Sequence, residues 1–130
     1  MNKWQYGVEY NPEDYFGFVY KITNLTNGKF YIGKKFFSRA ATKQIKGKKK
    51  KIRKMSDWES YYGSNKVLME EIEKEGKENY KREIIKLCIN RAECSYWEMY
   101  YIFVNDALLS ESFYNEWASV KIRKKHLIKK

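Results

Sequence analysis

The alternation of apolar and polar side chains is clearest in GFVYKITNLTNGKFYIGKK, where two β-rich stretches flank Asn27-Gly28. Asn-Gly between such stretches is a strong hairpin signal, because a two-residue hairpin turn needs left-handed backbone that these residues tolerate. The pattern predicts paired strands over residues 17–24 and 29–35. Period two puts Phe18, Tyr20 and Ile22 on one face of the first strand, and either Phe30 with Ile32 or Tyr31 with Gly33 on a face of the second. At least one tyrosine therefore shares a face with apolar neighbours. Downstream, Ser56 and Glu59 have capping-box spacing, and Ser64 can cap a second helix whose Leu68 and Ile72 share a face before Gly76 ends it. NYKREIIKLCI, with Ile84, Ile85 and Leu87 near its centre, predicts a buried third strand, although so short an apolar run also fits a helix. Asn90, with Glu93 three residues on, opens a predicted helix from Arg91 to about Asn105, with Trp97, Tyr101, Val104 and Leu108 as its apolar stripe.

Three segments lack that regularity. Residues 1–16 carry five aromatics without a clear period and read as an ordered arm packed on the domain. Residues 43–54 pack eight basic side chains into twelve positions around Gly47 and read as a mobile basic loop or frayed helix. Residues 118–130 form a short alternating piece and a basic tail. No repeat or Ser/Gly/Pro linker divides the chain, so residues 1–130 are expected to form one domain.

Composition narrows the function. The 130 residues suit a single core, and 43% hydrophobic and 18% aromatic content supplies it. The 27 Lys and Arg against 16 acids leave a net charge of +11, which favours a polyanionic partner, with nucleic acid the first candidate. No apolar run approaches the roughly 18 residues of a spanning helix, and MNKWQYGVEYNPEDYFG lacks the apolar stretch of a signal peptide. An intracellular protein with no membrane partner is expected. Cys88 and Cys94, with one histidine in the chain, support neither a disulfide framework nor a zinc site and are expected to be reduced core thiols.

Two groups of residues could carry chemistry. Glu98 has Cys94, Tyr101 and Ile102 as helical neighbours, which puts its carboxylate at the edge of the core. A charge there needs a partner, and either a divalent cation or a lysine would serve. Tyr20 and Tyr31 lie eleven residues apart across the hairpin and can reach one region of the sheet, although a buried tyrosine more often just satisfies its hydroxyl.

The same hairpin resembles the signature of the GIY-YIG nuclease family. Phe18-Val19-Tyr20 stands for the first element, with the glycine one place early at Gly17, and Tyr31-Ile32-Gly33 for the second. WEMYYI with Glu98 and the later Tyr114-Asn115 follow in the family's order, and SDWESYYGSNKVL is similar to the helical segment of phage members. The resemblance implies an α/β (α+β) domain, a three-stranded antiparallel sheet flanked by helices, that cuts DNA with one Mg²⁺ or Mn²⁺. It implies Glu98 as metal ligand, Tyr20 as general base, Tyr31 positioning water or phosphate, and Asn115 holding the geometry. The phosphate-binding arginine falls on Arg39, with Arg53 as fallback. Because a free tyrosine ionises near pH 10, Tyr20 would need a cationic field, which Lys34, Lys35 and Arg39 could supply.

In such a chain the basic run, including Lys46, Lys48, Lys49, Lys50, Lys51 and Arg53, is expected to clamp the DNA backbone without reading sequence. Trp58, Tyr61 and Tyr62 beside it could stack on bases or fill the core. Specificity would come from loops, a homodimer or another partner. The Lys- and Asn-rich make-up suits the AT-rich genome of a bacteriophage and hence the host cytoplasm. Two rival readings stand beside this one. Glu71-Ile72-Glu73-Lys74 has an acid-x-acid-Lys form, yet such alternation also makes an ordinary exposed helix. The other is a non-catalytic DNA-binding module that keeps the nuclease fold.

Overall fold

A computed structural model of the chain describes residues 3–116 and 118. Its elements run β1 (Trp4–Gln5), β2 (Gly17–Asn24), β3 (Phe30–Phe36), β4 (Ser38–Ile45), β5 (Lys48–Met55), α1 (Lys66–Glu75), β6 (Tyr80–Cys88) and α2 (Arg91–Val104). β2 and β3 form the expected hairpin, with Tyr20 opposite Gly33, but Asn24 and Phe30 are joined by a wider loop than a two-residue turn, in which Gly28, at φ 75°, is left-handed and Asn27 is not. β6 pairs antiparallel with the other edge of β2, and the register slips between Val19 and Tyr20. That bulge places an extra β6 residue there, so Ile84 and Leu87, three apart, pack in one core cluster while Ile85 packs in the other.

Both faces of the sheet are covered. Phe18, Tyr20 and Ile22 pack with Leu68 and Ile72 of α1, whereas Val19 and Ile32 pack with Cys94, Met99 and Ile102 of α2. β2 accordingly reads as an almost continuous apolar strand. Cys88 and Cys94 are free thiols buried at the second interface, and burial together with the bond between them pushes the Cys94 thiol up.

The structure corrects several expectations. The sheet has four strands, in the order β1-β6-β2-β3, because the aromatic arm contributes β1, parallel to β6 at the edge. Trp4 anchors it by donating to the Trp58 carbonyl at 2.6 Å and packing against Phe18 and Tyr20. Residues 43–54 are not a loop or helix but most of a second, two-stranded sheet, β4 with β5, turned by Lys46 and Gly47 at φ 49° and 77°. The Ser56 to Glu59 box yields only a short 3₁₀ turn, Trp58–Ser60, since the Ser56 hydroxyl donates to the Phe36 carbonyl. The cap of α1 is Asn65, one residue after Ser64. α2 is capped by Asn90 as its sequence predicts, yet its buried face is Cys94, Met99 and Ile102, while Val104 is 60% exposed and Leu108 lies beyond the helix. No helix among the described residues is long and apolar enough to cross a membrane. Most of the expected basic tail lies outside the described residues.

Candidate active site

The central hairpin brings its two tyrosines together on the α1-packed face of the sheet because Gly33 leaves room for them. A side-chain carbon at Gly33 would stand 2.6 Å from the Tyr20 ring carbon that bears the hydroxyl. Gly63, at φ 95°, closes the other side, and a carbon there would touch the Tyr20 hydroxyl and the Tyr31 ring. Tyr20 is 1% exposed, and its ring lies 6.1 Å from that of Tyr31 and 6.0 Å from that of Tyr61. Burial raises its pKa well above the usual value, helped by the neighbouring Tyr61 and Tyr31, including a hydrogen bond to Tyr61. Burial raises Tyr31 as well, against a lowering hydrogen bond from Ser64. Both phenols therefore stand in the neutral form at ordinary pH.

Tyr20, Tyr31, Lys34, Glu98 and Asn115 line one cavity of about 430 Å³, together with Ser64, Asn65 and Glu116. Lys34 Nζ donates to Glu98 Oε1 at 3.1 Å, and the glutamate side chain is only 14% exposed. The partner that a core-edge carboxylate requires is thus a lysine. Asn115 donates to the Ile32 carbonyl at 2.8 Å and accepts from the Ile32 N–H at 3.0 Å. This side chain completes a ladder, because residues 112–114 already exchange backbone bonds with Phe30. Asn65 caps α1 through Leu68 N–H and donates to the Tyr114 carbonyl, both at 2.9 Å, which ties the helix to the same segment.

The remaining sequence candidates lie elsewhere. Arg39 and Arg53 line an adjoining cavity of about 290 Å³ with Lys35, Asp57 and Arg91, and Lys34 lines both cavities. Arg53 folds back onto Ser38. Lys35 bonds Asp57 at 2.6 Å and lies over the Tyr61 ring, and that bond holds the Asp57 carboxyl below its ordinary range. Lys46, Lys48, Lys49, Lys50 and Lys51 are exposed on the second sheet and its turn. Tyr62 is buried in the core, with Trp58 and Tyr61 packed against it. Glu71 accepts from Tyr114 at 2.7 Å, a structural contact on α1. Sequence reading named Ser64 only as a helix cap and Tyr61 only as a ring that stacks on bases or fills the core, and did not single out Asn65, Glu116 or Arg91; of these three only Asn65 carried a local signal, as a capping residue next to a serine.

Glu98 and Glu116 face this cavity with hydroxyl and amide oxygens, while among the described residues no three His, Cys, Asp or Glu side chains cluster. Such a sparse, hard oxygen set fits Mg²⁺ or Mn²⁺, which keep several waters and take one or two carboxylates.

Fold and site together define a class, an α+β domain whose central hairpin offers two tyrosines to a helix-borne carboxylate. A family model described as "Putative endonuclease segE, GIY-YIG domain" matches residues 2–118. The chain is 32% identical over 98 residues to a protein of Enterobacteria phage T4 named "Putative endonuclease segE". That match covers 75% of this chain and 39% of the relative, so the chain spans well under half the relative's length. No solved structure matches the chain. This protein belongs to the GIY-YIG endonuclease family.

Proposed function

We propose that the chain is a divalent-metal-dependent endonuclease that hydrolyses phosphodiester bonds in DNA. The observation that carries this reading is the meeting of Tyr20, Tyr31, Lys34, Glu98 and Asn115 at one cavity. Family membership and the +11 charge support it. Glu98, with Glu116 beside it, would hold Mg²⁺ or Mn²⁺, which supplies charge stabilisation at the scissile phosphate and leaving oxygen. Lys34 then has two tasks: it neutralises Glu98 before substrate arrives, and it offers a cation to a phosphate oxygen afterwards.

Tyr20 acts as a relay rather than as a resident phenolate, because its surroundings favour the neutral hydroxyl. Its oxygen accepts a proton from the attacking water while its own proton passes to the Tyr61 oxygen, and the half-buried Tyr61 releases its hydroxyl proton to solvent, so each phenol ends neutral. Tyr31, bonded to Ser64, orients the water or phosphate, and Asn115 keeps β3 in place beneath it. Arg39, on the adjoining cavity, stabilises charge on the same strand.

Incubating the chain with supercoiled plasmid tests this reading. Cleavage is expected with Mg²⁺ or Mn²⁺ and none in excess EDTA, and Glu98→Gln should abolish it with DNA binding nearly unchanged. Activity surviving either treatment refutes the assignment. One observation favours a second reading, a DNA-binding module without catalysis: among the described residues no arginine lines the Tyr20–Glu98 cavity. Binding without cleavage under any divalent cation would establish it.

A further inference from the structure

Over residues 38–55 the chain has nine basic side chains and no acidic one. The structure makes this run a two-stranded ribbon of eight cross-strand pairs, from Ser38↔Met55 to Ile45↔Lys48, whose strands, among the described residues, pair only with each other. At roughly 3.4 Å per residue the ribbon is on the order of 25 Å long. Directly opposed residues share a face, so Arg39, Lys43, Lys48, Lys50 and Lys54 lie together on one side. Lys49, Lys51 and Arg53 lie on the other with Thr42 and Gln44. Lys43 directly opposes Lys50, an arrangement that destabilises a free hairpin. Two faces of like charge with no acid among them are electrostatically complementary to a polyanion that flanks the ribbon on both sides.

Duplex DNA has that form. Its major groove, about 12 Å wide, admits a two-stranded β-ribbon as it stands, whereas the minor groove, about 6 Å wide, must be widened by bending the duplex to take one. The ribbon's root points the same way. Arg39 and Arg53 line the cavity shared with Arg91 and Lys34, and Lys34 also lines the Tyr20–Glu98 cavity. A track rich in basic side chains, interrupted by Asp57 in its bond to Lys35, thus leads from ribbon to site. We propose that the β4–β5 ribbon docks in the major groove of duplex DNA, its lysines meeting phosphates of both walls, and leads one strand past Arg39, Arg53 and Arg91 to the Tyr20–Glu98 cavity. The proposal rests on the reading that the chain acts on DNA, but not on catalysis.

The test uses the full chain carrying Glu98→Gln, so that bound DNA stays intact, and a short mixed-sequence duplex titrated over a range of salt. Each phosphate contact contributes about −0.9 to the slope of log affinity against log salt. Replacing Lys43, Lys48, Lys50 and Lys54 with Gln is expected to flatten the slope by at least about 1.8, equivalent to two contacts, and the same four positions as Arg should restore it. Methyl green, a major-groove ligand, should displace the protein, and distamycin, a minor-groove ligand, should not. The proposal fails if the Gln variant, folded by circular dichroism, changes the slope by less than about 0.9. It fails equally if distamycin alone competes, or if single strands bind as tightly with the same dependence on these lysines. Ribbon-dependent binding by a parent protein that never cleaves would sink the nuclease reading and leave the ribbon's role standing.

Discussion

Gly33 and Tyr20 face each other across the hairpin so closely that the tyrosine's position depends on the missing side chain. Gly33→Ala should push the phenol aside and lose about 1–3 kcal/mol in urea unfolding, the usual effect of overfilling a packed site. Tyr20→Phe makes the opposite change. It keeps the ring and removes only the hydroxyl and its bond to Tyr61, so stability should fall by no more than about 1 kcal/mol. Cleavage should nevertheless fall by roughly 10² to 10⁴, the range for losing a proton-transfer group. A Tyr20→Phe protein that cuts within a few-fold of the parent would make Tyr20 a core residue. Asn115 is a different case, because both polar ends of its amide are committed to Ile32. Its contribution to activity runs through the position of β3.

Among the elements, α1 depends most on one side chain, because Asn65 both caps the helix and bonds the Tyr114 carbonyl. Asn65→Ala should cost about 1–2 kcal/mol for the cap alone. Asn65→Asp keeps the cap acceptor but loses the donor to Tyr114, so its loss against the parent in urea unfolding reports the second bond, and the further loss in Asn65→Ala reports the cap. If both variants match the parent, the link between α1 and the 112–115 segment carries no stability. The elements also divide by how they could be read. β2, β3, β6 and α2 each announce themselves locally, through Asn27-Gly28, an apolar run, or the Asn90 cap. The ribbon did not, because its turn uses a lysine in left-handed backbone and its pairs set like charges opposite each other, both against local preference. The predicted stripe of α2 holds for Trp97 and Tyr101, which pack against the core, and fails for Val104 and Leu108, because counting apolar residues cannot tell which side the sheet occupies, and Cys94 proved more buried than Val104. Tyr20, Tyr31, Glu98 and Asn115 were legible because the family's motif orders them along the chain. Ser64 was legible only as a helix cap, and its meeting with Glu116 and with the Lys34–Glu98 pair comes through contacts distant in the chain.

For the whole molecule, the many buried phenols set a limit at high pH. Burial raises the pKa of Tyr20, Tyr31, Tyr62, Tyr80 and Tyr114 above the model-peptide value of 10.0. The unfolded chain releases these protons near pH 10 while the folded chain retains them, so stability from this source is complete below pH 10 and declines as pH climbs further. A late fraction of the absorbance change at 295 nm, matching these five of the twelve tyrosines, should therefore coincide with loss of circular dichroism; complete ionisation of all twelve near pH 10 in a still-folded protein would contradict the burial of these rings. A quieter property follows from the paired thiols, Cys88 on the sheet and Cys94 on α2, both fully shielded from solvent. Iodoacetamide can reach them only when the helix lifts from the strands, and α2 is the helix that carries Glu98. The rate of alkylation is thus a stopwatch for excursions of that helix, and anything that grips Glu98 should slow it.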